Sequence, residues 1–290
     1  MKRDCRSAFR RDRSRLKPLL QMLACAGMAL CLTATAATTE ETYGGLPRAT
    51  VSDVRVLQNP GFLVGYSTSR RQPLWVGYRA ESLKGRRLGK RPDRFEPDPR
   101  VTPAVAETDY RGSGYTRGHL APNYLIGKLY GRAAQHATFL MTNVSPQRRE
   151  LNELVWQRLE EAEADVVAPH AVELWVMAGP LFGARPAALK AGIPVPEAFY
   201  RIWLDVEQGQ PRALAFIVPQ DVCGTEPLSK YLASVDEIER RTGLDFFAEL
   251  ADAREEALEG GRSTEGWRVD RFDRRPPRYA GNFGALQCES

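Results

Sequence analysis

Histidine is scarce in this chain, with three among 290 residues, so imidazole chemistry has few places to sit. Cysteine is nearly as sparse: of five, only Cys223 and Cys288 lie beyond residue 36, and their spacing suits no metal site. The longest apolar run, from Leu19 to Leu32, falls short of the ~20 residues that a membrane span requires. No internal repeat is found, which argues against stacked-repeat architectures.

The apolar run reads instead as part of a leader. Residues 1–18 carry Lys2, Arg3, Arg6, Arg10, Arg11, Arg13, Arg15 and Lys17 against Asp4 and Asp12. The apolar stretch follows, and Ala34-Thr35-Ala36 fits a small-residue cleavage site. These three parts predict a secretory signal peptide over residues 1–36, with an uncleaved anchor as the alternative. Leu23 and Leu30 crowd the positions before Cys25 and Cys31 where a lipoprotein needs small residues. The mature chain is therefore expected in the periplasm or outside the cell, with no stable membrane association.

Loss of the leader removes six net positive charges, so the formal +5 becomes −1 and the basic isoelectric point says little about partners. Local clustering says more. Lys84, Arg86, Arg87, Lys90, Arg91 and Arg94 face only Asp93, which makes either an electropositive rim for a polyanion or a solvated loop. In an oxidising compartment the two remaining cysteines predict one disulfide, Cys223 to Cys288, with two buried thiols as the alternative.

Residues 37–60 read as an exposed lead-in, 61–260 as one mixed α+β domain, and 261–290 as a tail with little core-forming power. Phe62–Ser67 and Pro73–Arg79 read as an aromatic and β-branched hairpin. A long polar connection, 80–114, follows, of a kind that is usually functional in a compact domain. A short helix is expected over 124–137 and a strand over 138–144. From Glu150 to Ala164, Leu151, Leu154, Val155, Leu159 and Ala162 recur at helical spacing. Apolar strands are expected at 172–178, 199–206 and 213–218. Ser234 and Glu237 form a capping box that starts a helix, which Thr242-Gly243 breaks before it resumes over 244–258.

One histidine stands apart from the others. His119 follows Arg117 and Gly118, and on an extended strand Arg117 and His119 project to one face. A neutral imidazole can activate water and a guanidinium can grip a phosphate. Some thirty residues on, the amphipathic helix carries Asn152 near its start and Glu160 eight residues later. That separation is ~12 Å of rise and ~80° of rotation, so both can face one side. They cannot both ligate one ion directly; one direct ligand, with the other acting through water, suits magnesium. Together these are the parts of a metal-assisted phosphodiesterase.

The residues also resemble the DNA/RNA non-specific endonuclease family, whose active site is a ββα-metal motif. Arg117-Gly118-His119 matches its arginine-glycine-histidine core, continued by Leu120-Ala121-Pro122. Thr142-Asn143-Val144-Ser145-Pro146-Gln147 matches a second block, followed in order by Leu151-Asn152, Trp156 and Leu159-Glu160. Arg94-Phe95 with Asp98 resembles an upstream arginine block, and Thr242 to Phe247 a block near the C-terminal end. The resemblance implies a largely antiparallel sheet flanked by helices, and magnesium, with manganese as the alternative ion. It further implies His119 as general base, Asn152 as direct metal ligand and Glu160 as support for the ion's water shell. Arg94 and Arg117 would hold phosphate, and Asn143 would orient the site. DNA and RNA would be held through phosphates, which carry no base information. The chain departs from the family pattern at Thr116, where an aspartate is usual. An extracytoplasmic nucleic-acid-binding protein with silenced catalysis, or a phosphodiesterase for another anionic ester, are the rival readings.

Overall fold

A computed structural model describes residues 40–50, 52–81 and 88–283 of the chain. The leader, Lys84, Arg86, Arg87 and Cys288 lie outside the described residues. The strands, in chain order, are β1 (Arg48–Ala49), β2 (Val54–Asn59), β3 (Phe62–Ser67), β4 (Gln72–Ala80), β5 (Thr116–His119) and β6 (Val144–Gln147). They continue with β7 (Leu174–Leu181), β8 (Ala198–Glu207), β9 (Gln210–Pro219), β10 (Leu232–Ala233) and β11 (Leu244–Asp245).

Seven of them form one sheet in the order β10-β9-β8-β7-β4-β3-β2, with every pairing antiparallel. Strand β8 explains why the central strands read as unbroken apolar runs. Its Phe199 and Trp203 enter one hydrophobic cluster, while Tyr200, Ile202 and Leu204 enter the other. Side chains alternate along a strand, and a sheet covered on both faces needs apolar residues at every position. The first cluster is closed by α1 (Asn123–Tyr130) and by a helical rod over residues 151–167. The second is closed by α4 (Val235–Thr242), α5 (Asp252–Glu259) and the Phe246-Phe247 pair. This is the expected α+β architecture.

Several local expectations shift. The stretch 37–60 was expected to be an exposed lead-in, yet it supplies β1, which pairs with β11, and the edge strand β2. The expected helix over 124–137 is two, α1 and α2 (Arg132–Ala137), because Gly131 adopts φ 92° between them. The strand expected over 138–144 begins only at Val144, after a tight turn at Met141–Asn143. The helix expected to resume at 244 is instead β11 followed by α5. Beyond residue 260, Trp267 and Phe272 are 4% and 1% exposed and join the first cluster, so this segment does build core. Among the described residues no helix is long and apolar enough to cross a membrane.

Candidate active site

Strand β5 pairs with β6 as a separate two-stranded ribbon, with Thr116 opposite Gln147 and His119 opposite Val144. The helical rod follows directly: α3 (Gln157–Ala162) with π-wound turns at Leu151–Trp156 and Glu163–Val167. Two strands and a helix thus pack as a finger on the first face of the sheet. Gly118 is required in the ribbon because a Cβ there would overlap the buried Gln147 side chain.

Arg117, His119, Asn152 and Glu160 line one cleft of about 660 Å³, together with Arg91, Phe95 and Thr116. Arg117 and His119 share a face, as the strand period requires. The Arg117 guanidinium lies 5.3 Å over the Phe95 ring, and His119 packs against the same ring at 5.0 Å. Phe139 packs against both rings, 4.8 Å from His119 and 4.9 Å from Phe95. This apolar cage strips water from the imidazole, and Arg91 and Arg117 add positive charge, so its pKa is pushed down to about 3. His119 is neutral at any physiological pH. Its Nε2 is buried without a hydrogen-bond partner.

Asn152 is aligned by a side chain that the family pattern does not supply. The Thr116 hydroxyl donates to the Gln147 carbonyl at 2.9 Å. It can therefore only accept from Asn152, whose Nδ2 lies 3.0 Å away. The amide is thereby oriented, and Oδ1 has no protein donor among the described residues. A hard cation prefers such an oxygen, so the donor set fits a divalent metal.

Glu160 was open to reading as a solvated face, but it lies over the sheet. Burial, and the negative charge of Glu163, push it up to about 8 despite Arg201, whose Nη2 is 3.7 Å away. Arg201 and Glu163 are parts of the site that the sequence did not reveal. Arg201 is fully buried on β8 and bonds Glu163 at 2.6 Å. Glu163 also accepts from Tyr78 at 2.7 Å and from Trp203 at 2.9 Å. Arg201 stacks 4.5 Å from Trp156, whose indole N–H holds the His119 carbonyl at 3.1 Å. It also donates to the Leu120 carbonyl at 3.3 Å. Sheet, rod and ribbon are thus joined through one guanidinium. The only signal was an arginine between Phe199 and Trp203 on an apolar strand.

The remaining expected residues lie outside the cleft. Asn143 is fully buried and clasps the turn after His119: its Oδ1 accepts from the Ala121 N–H at 2.9 Å, and its Nδ2 donates to the Ala121 and Thr138 carbonyls. It orients without touching the cleft. Arg94 lines a neighbouring depression that it shares with Arg117 and Glu107, while Arg91 lines the cleft itself. Arg117 is held by Glu107 at 3.5 Å. Arg278, Tyr279 and Asn282, from the segment after residue 260, complete the cleft's wall, with Arg278 paired to Glu161 at 3.0 Å.

Residues 47–253 match the model of a family described as DNA/RNA non-specific endonuclease. A nuclease of Nostoc sp. is 30% identical over 74% of this chain and 81% of its own length. The mitochondrial nuclease EXOG of Xenopus laevis is 31% identical over 64% of this chain, which spans little more than half of that relative, 56%. Among solved structures, one of the EndoG/EndoGI complex superposes with a TM-score of 0.62 at 24% identity, over 73% of this chain and 91% of that one. That likeness concerns the fold.

Proposed function

The chain belongs to the DNA/RNA non-specific endonuclease family, and on that premise we propose a magnesium-dependent, sugar-non-specific nuclease that works outside the cytoplasm. The observation that carries the reading is the pairing of an uncharged imidazole with an oriented amide oxygen in one cleft. With Nε2 buried, Nδ1 of His119 is the nitrogen left to take a proton from water. Arg117, steadied by Glu107, binds a non-bridging phosphate oxygen, and Arg91 adds positive charge at the rim. Asn152 Oδ1 would hold the ion and Glu160 would accept hydrogen bonds from its waters. When bound, the cation supplies charge neutralisation at the phosphate and the leaving oxygen. Its presence would also draw Glu160 back toward the ionised form. The leader-like residues 1–36 support export, which N-terminal sequencing of the exported chain would check.

The decisive test is cleavage of supercoiled DNA and of RNA, with and without chelator, by the wild type and by His119→Ala. The wild type should cut both polymers and fall silent in chelator. His119→Ala should lose on the order of 10²–10⁴ in turnover while still binding DNA. A variant within a few-fold of wild type would overturn the base assignment. A wild type that binds both polymers and cuts neither would favour the silenced binding protein.

A further inference from the structure

Large apolar side chains scattered singly over a surface are ordinary, but two gathered in one cleft are not. Among the described residues five such side chains are exposed: Val56, Tyr124, Tyr130, Val172 and Tyr279. Tyr130 has a structural task. A Cβ on Gly61 would collide with its ring, and its hydroxyl donates to the Arg79 carbonyl at 2.8 Å. Val56 sits on the edge strand β2, and Val172 in the connection from the rod to β7. Tyr124 and Tyr279, 45% and 40% exposed, both line the cleft that holds His119, Arg117 and Asn152.

The two rings arrive from unrelated elements. Tyr124 is the second residue of α1, whose start follows His119 by only the three residues Leu120 to Pro122. The Lys128 ammonium, one turn on, lies 5.9 Å from its ring. Tyr279 stands in the segment after residue 260, just before the tight turn at Ala280–Asn282. That segment is pinned to the rod on both sides of the ring. Arg278 pairs with Glu161 at 3.0 Å, and Arg149 donates to the Asn282 carbonyl at 3.4 Å. The Arg149 guanidinium also lies 4.4 Å over the Phe283 ring. Both tyrosines are thus held on anchored backbone beside the reacting groups, yet stay open to solvent.

The cationic side chains of the cleft grip phosphates and carry no information about bases. An open aromatic ring does something else. Every nucleobase has a π-face, so a tyrosine stacks on any of them, whatever the sugar. In a duplex those faces are already covered by neighbouring base pairs, and only an unpaired base can be laid on a protein ring. We infer that Tyr124 and Tyr279 receive unpaired nucleobases next to the scissile phosphate, so that the cleft favours single-stranded stretches of DNA or RNA. The inference rests on the nuclease reading of the cleft and adds the form of substrate that it takes.

The test uses the full mature chain bearing His119→Ala, which should bind strands without cutting them. Two labelled probes of equal length are compared by fluorescence anisotropy in magnesium: an oligothymidylate, and an abasic strand with the same phosphates and no bases. The oligothymidylate should bind about 5- to 100-fold more tightly, the worth of a stacked base. Adding Tyr124→Ala or Tyr279→Ala should each remove much of that advantage, with the loss confined to the strand that carries bases. Tyr124→Phe and Tyr279→Phe keep the ring and should keep the advantage. The salt dependence of binding should stay as steep in the alanine variants, since no phosphate contact is lost. With His119 restored, both alanine variants should raise KM for single-stranded DNA more than for the duplex. Equal affinity of the His119→Ala chain for the two probes would overturn the inference and leave the nuclease reading standing. An alanine variant that weakens both probes alike would overturn it for that tyrosine and assign the ring a structural role. A chain that binds neither probe would overturn the nuclease reading, and the inference with it.

Discussion

His119 and Glu160 are displaced in opposite directions by the same low-polarity surroundings, and their effects on stability have opposite signs. His119 titrates near 3 in the folded chain and near ~6.5 when unfolded. Between those values the unfolded chain holds the extra proton, so stability falls as pH drops through that window. Glu160 titrates near 8 when folded, against 4.5 ordinarily, so the folded chain holds the extra proton and stability falls as pH rises from 4.5 to 8. In chelator, His119→Asn should therefore soften the loss of melting temperature below about pH 6, and Glu160→Gln should soften the loss above it. Thermal melts across pH decide this; parallel curves for wild type and variants would refute the assigned shifts. Thr116 acts through Asn152. Thr116→Val removes the hydroxyl that orients the amide and should raise the magnesium needed for half-maximal activity by ~10–100-fold, the usual range for a group that orients a ligand. Thr116→Ser should restore it. A magnesium titration that is unchanged in Thr116→Val would assign the hydroxyl a structural role only.

At the scale of elements, the finger depends on a contact that no local pattern announces. Leu151, Leu154, Val155, Leu159 and Ala162 are all buried, so the helical period found in the sequence matches the packed face of the rod. Its π-wound ends were not legible, because winding responds to the surface beneath. Arg201 was hidden for a related reason: on β8 it shares its face with Phe199 and Trp203, and an apolar strand gives no sign of what its one cation meets. Arg201→Met leaves Glu163 buried and unpaired, which should cost about 3–5 kcal/mol. Chemical denaturation measures this. The double variant Arg201→Met, Glu163→Gln should recover much of the loss, since both charges are then gone. Recovery of stability without recovery of turnover would show that the guanidinium also positions the finger for catalysis.

Across the whole molecule, the segment after residue 260 is bound in more tightly than its composition suggested. Arg158 on the rod donates to the carbonyls of Gly224, Glu226 and Asp273, which joins the rod, the loop at Cys223 and the C-terminal segment. Cys223 is disulfide-bonded, and its partner lies outside the described residues. If that partner is Cys288, the bond closes a loop of about 65 residues, for which chain-entropy arguments give roughly 4 kcal/mol. Reduction should then lower the melting temperature, and peptide mapping by mass spectrometry should find a Cys223–Cys288 cross-link. Free alkylation of both thiols in the unreduced, unfolded chain would refute the pairing.

The motif order around His119, Asn143, Asn152 and Glu160, the apolar strands and the capped start of α4 at Ser234 were legible in the chain alone. The strands and the cap depend on neighbours in sequence, through the strand period or a capping side chain, and the motif order was read from the family resemblance. Tertiary structure decided the rest. It brought Arg91 rather than Arg94 to the cleft, set Thr116 against Asn152 across 36 positions, and placed Arg201 and the residues after 277 beside the site. Hydrogen bonds, ion pairs and desolvation act over a few ångströms of space whatever the separation along the chain. For that reason the sequence alone could name the chemistry of His119 but not the cage of Phe95 and Phe139 that keeps it neutral.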